Sequence, residues 1–419
     1  MDIRIKEFKK IVTSPIIIGL LVLFIVYNSI FIFQNSYFRE ELRVLTRLVD
    51  RFGYEIDDEM LEKYRLYYEE QLVSLNKITK EKTSKNYNSM AEFFADYKYG
   101  LEDIYDREEL GLIMELGIME AYYNTIEEID EVYSSLDIME RAESEINKFQ
   151  LIDKAAETVR NQYKAFSERF QQLVNNKEHK NLFFLGKVYR LHSILFKSLF
   201  KIIIFEIIIL VVLITAYIVN YEFDNKTEAI TYTTKRGRDL ILDKLYVSIF
   251  SSLVVTTIIL LVTLALYFII FDYSGLWKVP ISSYFNTDHN FPYLSWWKMS
   301  FVQFLFFTIG LVYSITLLFN GIIFIIARAI KNTYFAFFVF AIIFGLFLIL
   351  PRLAPNSSNT IFIGAFTPYF LILNPHVWFM EGGAFATFKY HEIVTLVIWA
   401  LMIWVLSILS IKRFKRQDI

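Results

Sequence analysis

The sequence predicts an all-α polytopic membrane protein with six transmembrane helices and one extracellular helical domain. Hydrophobic residues make up 55% of the 419 residues and charged residues 21%, so the two kinds must be segregated along the chain. Six apolar runs each reach the length of about 20 residues that crosses roughly 30 Å of hydrocarbon. Residues 35–200 contain no proline and little glycine, which favours helix throughout that segment.

The apolar runs place the transmembrane helices at 15–33, 201–220, 246–271, 300–327, 333–350 and 393–411. The first run is long and has no small-residue cleavage site, so we expect it to be retained and not removed as a signal peptide. The other segments are an interfacial amphipathic helix at 1–14, the extracellular domain at 34–200, a cytoplasmic loop at 221–245, an extracellular loop at 272–299, an extracellular segment at 351–392 and a cytoplasmic tail at 412–419.

Lysine and arginine residues near the spans predict which ends face the cytoplasm, because they accumulate on that side. Fifteen lie in the N-terminal segment, the loop at 221–245, the connection after the fourth span and the C-terminal tail. Four lie in the two shorter segments on the opposite side. Both termini are therefore expected in the cytoplasm. The chain has no cysteine, which suits an outward-facing domain on a bacterial plasma membrane.

Helix-start patterns divide the extracellular domain into several helices. Asp57 or Asp58 precedes apolar residues that recur every three or four positions from Leu61, and either acid can cap that helix. Ser89 and Glu92 have the spacing of a capping box for a second helix. The stretch 107–175 is predicted to hold two more helices, broken near 133–136.

Residues 102–145 contain 15 acidic residues and only two arginines, so part of the extracellular domain is strongly negative. A surface of one sign raises the local concentration of oppositely charged molecules, which would suit a cationic substrate or peptide. The alternative is an ordinary solvated acidic helix face. The sequence leaves both interpretations open.

The chain lacks the common motifs of enzymes and nucleotide-binding proteins. His391 and Glu392 match the start of the zinc-protease pattern HExxH, but Thr395 stands where the second histidine would be. Neither G-x-S-x-G nor the phosphate loop G-x-x-x-x-G-K-[ST] occurs. We therefore predict a chain that is not an enzyme, holds no metal or cofactor, and binds the lipid bilayer but no nucleic acid.

Three polar residues in the predicted spans are candidates for a functional role. Glu206 is in the second span, where a charge in hydrocarbon is costly and therefore suggests a function. Its position near the outer surface, close to Lys201, allows snorkelling or a local ion pair instead. Gln303 and Asn320 in the fourth span are expected to hydrogen-bond between helices in preference to binding a substrate.

The loop at 221–245 holds five acidic and five basic residues on a segment too short for a domain. It resembles the inner loop after span two in permease subunits of type-two ABC exporters. In that family the loop runs from an acidic residue through a Gly-Thr region and a threonine–proline pair to an arginine and a lysine that opens span three. The residues in matching places are Glu222, Thr227, Thr234, Arg238 and Lys244. Lys226 and Lys235 replace the usual glycine and proline.

The layout of the whole chain is similar to that family as well. The segment 366–375 is apolar but too short to cross a membrane, and it resembles the family's re-entrant outer hairpin. The large insert after the first span resembles the branch that contains the sodium-efflux permeases and the A subfamily.

The resemblance implies the permease subunit of an ATP-driven exporter. Two copies of a separate ABC ATPase would bind ATP and Mg, and a second permease, identical or paralogous, would complete the complex. Residues 222–244 would form the coupling element, and reversing the charges of Arg236 and Arg238 would uncouple ATP hydrolysis from transport. Two alternatives stay open: a sensor or resistance component whose outer domain binds a peptide or cell-wall-active compound without moving it, and a membrane-embedded enzyme. The substrate, whether peptide, antimicrobial compound, lipid, sodium ion or drug, is not determined.

Overall fold

The computed structural model describes residues 3–97, 100–184, 193–234, 237–288 and 291–416, and these are almost entirely helical. The α-helices in this part of the chain are α1 (Ile3–Val12), α2 (Pro15–Gln34), α3 (Arg39–Phe52), α4 (Asp58–Thr83), α5 (Met90–Asp96), α6 (Leu101–Ile104), α7 (Arg107–Ser135), α8 (Ile138–Lys148), α9 (Asp153–Asn175), α10 (Phe200–Asp224), α11 (Glu228–Tyr232), α12 (Leu240–Ile270), α13 (Phe301–Ile330), α14 (Thr333–Leu353), α15 (Pro368–Leu371) and α16 (His391–Arg416).

Short elements complete the backbone between these helices. The 3₁₀ turns lie at Ser36–Phe38, Gly237–Asp239, Asn359–Gly364 and Pro375–Val377, and π-helical turns at Ser193–Leu199 lead into α10. Two strands, β1 (Thr287–Asp288) and β2 (Phe291–Pro292), pair antiparallel.

Six helices in the described part of the chain are long and apolar enough to cross a membrane, which confirms the predicted fold class. They are Pro15–Gln34, Ile194–Asp224, Gly237–Ile270, Phe301–Ile330, Thr333–Pro351 and His391–Arg416. A helix satisfies all its interior backbone hydrogen bonds within itself, which is why apolar segments of this length adopt it in lipid.

The second span is the centre of the bundle. Of its most apolar 18 residues, 72% are buried, against 17% for the first and fifth spans and 11% for the sixth. Its helix α10 packs against α2, α12, α13 and α14, while α16 packs against α13. The outer faces of the first, fifth and sixth spans are therefore left for lipid or for another subunit.

The bundle has two distinct ends. We call the end from which the described residues between 35 and 184 project the insert side, and we call those residues the insert. The opposite end, where α10 is followed by α11 and α12, is the loop side. The first and third spans bring the chain from the loop side to the insert side, and the second and fourth return it.

The insert is a helical domain made of α3 to α9, and its helix starts follow the predicted caps. The carboxylate of Asp57 accepts the amide of Met60 at 2.8 Å, and Ser89 accepts the amide of Glu92 at 3.0 Å. The Glu92 carboxylate accepts the amide of Asn88 at 2.8 Å, one residue before the position that a capping box would use. Both predicted caps are therefore present, although the second departs from a reciprocal capping box.

Residues 107–175 form three helices, so the prediction of two was wrong. The predicted break is present between α7 and α8, where Asp137 caps α8. A second break follows α8, because Gln150 takes a left-handed φ of 53° and the amide of Leu151 bonds back to Ile146 at 2.9 Å. This is the Schellman arrangement that usually needs glycine. Glutamine at that position does not indicate a helix end in the sequence.

Candidate functional site

The charged residues predicted to form the coupling element meet at the loop side. α10 extends to Asp224 and α12 begins at Leu240, so both ends of the predicted loop 221–245 belong to spans. Glu222 is 4% exposed and Lys244 is fully buried. The Lys244 ammonium forms an ion pair with the Glu222 carboxylate and donates to the carbonyl of Ile218 at 2.7 Å. The pair therefore joins the end of the second span to the start of the third.

The N-terminal helix α1 contributes to the same site. Lys10 Nζ lies 3.1 Å from Glu222 Oε1 and 2.6 Å from Glu7 Oε1. Burial opposes the positive charge of Lys10, but its bonds and charge interactions with Glu7 and Glu222 raise its pKa above the usual value. Tyr232 of α11 donates from its hydroxyl to Glu222 Oε2 at 3.3 Å. We call Glu7, Lys10, Glu222, Tyr232 and Lys244 the loop-side cluster.

The other described residues of the predicted coupling element, Thr227, Thr234 and Arg238, are exposed. The Thr227 amide donates to the carbonyl of Glu222 at 2.8 Å, while the Thr234 hydroxyl caps the carbonyl of Thr231 at 2.9 Å. Arg238 donates to the carbonyl of Lys415 at 2.7 Å, which joins the loop to the end of the sixth span. Arg236 and Lys235 lie outside the described residues.

Sequence reasoning missed the contribution of the N-terminal helix. The sequence predicts a helix lying on the inner membrane surface, but α1 also packs against α10 and α12. Arg4 Nε donates to Asp243 Oδ1 at 2.8 Å, and Glu7 is only 5% exposed. The sequence contained one indication of this packing. Glu7 lies among the apolar positions of a helix whose other charged residues are all basic.

The short helix α11 packs on this cluster and exposes one large apolar side chain. Tyr232 is 3% exposed and packs between Phe223 and Phe414, whereas Ile230 is 76% exposed. Gly237 after the helix lies so close to the carbonyl of Thr231 that an added Cβ would be 2.1 Å from it. α11 is therefore fixed on its buried side and open on its outer side.

No family model, curated protein or solved structure matches this chain. A function can therefore be assigned only from the geometry of the site.

Within the spans, Glu206 belongs to a small buried polar group. Asn28 Nδ2 donates to Glu206 Oε2 at 2.8 Å and to Thr263 Oγ1 at 3.2 Å. All three side chains are at most 5% exposed, and they come from the first, second and third spans. The carboxyl group is thus bonded across the bundle and does not point to lipid.

Asn320 forms a second polar group between the second, third and fourth spans. Its Nδ2 atom lies 2.8 Å from Thr215 Oγ1, 3.1 Å from Ser252 Oγ and 3.3 Å from Ser248 Oγ. These are interhelical bonds of the kind that hold membrane helices together. Gln303 is placed differently, because it lies in the first turn of α13 and bonds back to the amide of Ser300 at 2.9 Å.

The described residues include no group of three or more His, Asp or Glu side chains that could hold a metal ion. Glu392 Oε1 accepts the amide of Phe379 at 2.7 Å, and His391 Nε2 lies 3.0 Å from the carbonyl of Ala365. Both residues therefore fasten the start of the sixth span to the segment before it. The loop-side cluster likewise consists of paired charges, which suits mechanical linkage more than covalent chemistry.

Proposed function

We propose that this chain is the permease subunit of an ATP-driven exporter and that α11 is the element through which an ATPase subunit acts on the spans. The observation that carries the proposal is the buried Glu222–Lys244 ion pair below α11. Because one partner ends the second span and the other begins the third, a force on α11 reaches both helices.

The packing of the second span supports this role. α10 contacts four other spans, so a displacement at Glu222 spreads through the bundle. Close-packed protein interiors transmit small shifts instead of absorbing them. Lys10 adds the N-terminal helix to the same linkage, and Arg238 adds the end of the sixth span.

The outer face of α11 suits a protein partner. An aliphatic side chain exposed on a fixed element loses little entropy on binding and can fill a pocket in a partner, as interface anchors commonly do. Ile230 is the candidate anchor. The surplus of lysine and arginine at this end of the bundle supports a cytoplasmic position, which is where an ATPase would dock.

The proposed complex contains two ATPase copies and a second permease, identical or paralogous. ATP and Mg would bind to the ATPase subunits, so this chain needs no cofactor of its own. The insert would then face outward, in the extracellular position expected from the sequence.

The proposal is tested by purifying the tagged full chain in mild detergent and identifying the proteins that accompany it by mass spectrometry. We expect a stoichiometric ATPase subunit with the wild type and a strong loss of it with Ile230→Asp. Leu66→Asp is the matched control, because Leu66 is an exposed aliphatic residue of the insert. An absent ATPase, or equal recovery with both variants, would contradict the proposal.

A sensing role without transport is the second candidate, and the bonds between the insert and the segment 351–392 favour it. Arg141 of the insert pairs with Glu381 at 2.9 Å, and Asn356 donates to the carbonyl of Gln150 at 2.7 Å. A conformational change in the insert on ligand binding would therefore be transmitted to the spans through these bonds. Solute uptake into vesicles by the reconstituted complex separates transport from sensing.

A further inference from the structure

A large cavity lies on the insert side, away from the loop-side cluster. Its volume is about 930 Å³, within the range of pockets that bind small molecules. One wall is α8 of the insert, and another is the chain between the fifth and sixth spans. Lys197 at the start of the second span and the residues of β2 complete it.

Five charged residues line the cavity, and its two acids are already satisfied. Glu381 accepts from the Tyr163 hydroxyl and the Gly383 amide on one oxygen and from Arg141 on the other. Glu145 accepts from Lys148 at 2.9 Å and from the amide of Ala384 at 3.1 Å. Both oxygens of each carboxylate are therefore occupied by donors from the chain itself.

Two basic residues of the cavity, Arg141 and Lys148, retain hydrogen-bond donors that could bind a ligand. Among the residues that the structure describes, Arg141 donates through Nη2 to Glu381 alone, so its Nη1 donors have no protein partner there. Its guanidinium lies 3.6 Å from the centre of the Phe291 ring, which holds it in place. Lys148 uses one of its three donors on Glu145, and Lys197 adds a third positive charge. The lining therefore contains three basic and two acidic side chains.

The fifth span and the segment after it form an apolar wall of the cavity. Leu348 and Pro351 of the fifth span and Phe370 and Leu373 of the following segment form this wall. The outer face of the same part of the fifth span is exposed, with Leu346 at 60%, Ile349 at 50% and Leu353 at 73%. Because the span ends at this level, the charged wall lies where lipid headgroups meet the hydrocarbon.

We propose that this cavity binds one anionic phospholipid, with its phosphate on Arg141 and Lys148 and an acyl chain along the wall of Leu348 and Phe370. A phosphate supplies further acceptors for the donors of these two basic residues, and Arg binds it with well-directed donors. Basic pockets beside membrane helices bind lipid headgroups in this way. The lipid fills the space between the insert and the fifth span, and the proposal does not depend on an ATPase partner.

The test is native mass spectrometry of the full chain in a neutral detergent, titrated with phosphatidylglycerol, phosphatidylcholine or laurate. We expect one phosphatidylglycerol per chain and at least about tenfold weaker retention of the other two, since phosphatidylcholine would bring a cationic choline beside the basic residues and laurate has no phosphate. The double variant Lys148→Gln/Lys197→Gln should weaken phosphatidylglycerol binding by a similar factor. The matched control is Lys154→Gln/Lys164→Gln, at exposed positions of α9 outside the cavity.

A second variant keeps the test decisive if the charge variant does not fold. Ala354→Trp leaves every charge in place but fills the cavity beside Pro351, and it should also lower phosphatidylglycerol retention. Equal binding of the two phospholipids, or retention unchanged in both cavity variants, would overturn the proposal. Stronger retention of laurate than of phosphatidylglycerol would overturn it too and would indicate a free fatty acid as the ligand.

Discussion

Glu222 is a buried carboxylate that receives three side-chain partners from three different helices. Burying a charge costs several kcal/mol, and only close partners with good geometry offset that cost. Lys244 and Lys10 supply opposite charges, while Tyr232 supplies a neutral donor. Burial raises the pKa of the Tyr232 hydroxyl above its usual value, so the hydroxyl stays protonated and can donate. Glu222 therefore has two cationic partners and one neutral donor.

Removing Lys244 should destabilise the chain strongly. Lys244→Met leaves Glu222 buried with Lys10 as its one cationic partner among the described residues. Breaking a buried pair in this way costs roughly 3 kcal/mol or more. The double variant Glu222→Gln/Lys244→Met removes both charges and should recover much of the loss. Thermal unfolding of the purified chain in detergent measures both. A single variant as stable as the double variant would contradict a paired role for Lys244.

At the level of elements, the contact between α13 and α16 depends on a glycine. A Cβ added at Gly321 would lie 2.3 Å from Cγ2 of Ile403, which is far inside normal contact distance. Small residues let membrane helices approach closely in this manner. The sixth span is held to the bundle mainly through α13, so this position controls how it packs.

Gly321→Val should therefore loosen the sixth span. The added side chain overpacks the contact, and such changes cost about 1–3 kcal/mol. Gly310→Val is the matched control, because Gly310 lies in the same helix and a Cβ added there would meet no atom within 4 Å. We expect a lower melting temperature for the first variant than for the second. Equal melting temperatures would show that the α13–α16 contact tolerates the extra volume.

Across the molecule as a whole, the insert is bonded to the chain on both sides of the fourth span. Arg169 donates to the carbonyl of Trp296 at 3.1 Å, and the amide of Tyr284 donates to the carbonyl of His179 at 3.0 Å. Glu145 accepts the amide of Ala384 from the segment before the sixth span. Motion of the insert is therefore linked to the spans through several separate hydrogen bonds.

Glu145→Leu should release part of this link. The Ala384 amide loses its acceptor, and a lost hydrogen bond of about 1 kcal/mol corresponds to several-fold faster amide exchange around residues 382–385. Glu143→Leu is the control, because Glu143 pairs with Arg160 inside the insert at 2.6 Å. Hydrogen exchange with mass spectrometry measures both variants. Identical exchange at residues 382–385 in the two would argue against the link.

Local sequence patterns were sufficient to predict the spans, the helical nature of the insert and two of its helix caps. The patterns are the length of an apolar run, the period of apolar residues and the side chain just before a helix. Asp57 and Ser89 cap the helices that follow them because a cap is made with residues two or three positions along the chain. The sequence also identified Glu222 and Lys244 as candidate coupling residues, but it did not predict the contact between them.

Which of those residues meet depends on the tertiary structure alone. Lys10 and Glu222 are 212 residues apart, and Arg141 and Glu381 are 240 apart, so no spacing rule links them. The helix end at Gln150 is another case, because glutamine enters the left-handed region there only with support from the surrounding packing. Long-range contacts follow from how whole helix faces pack, and that packing is a property of the assembled bundle.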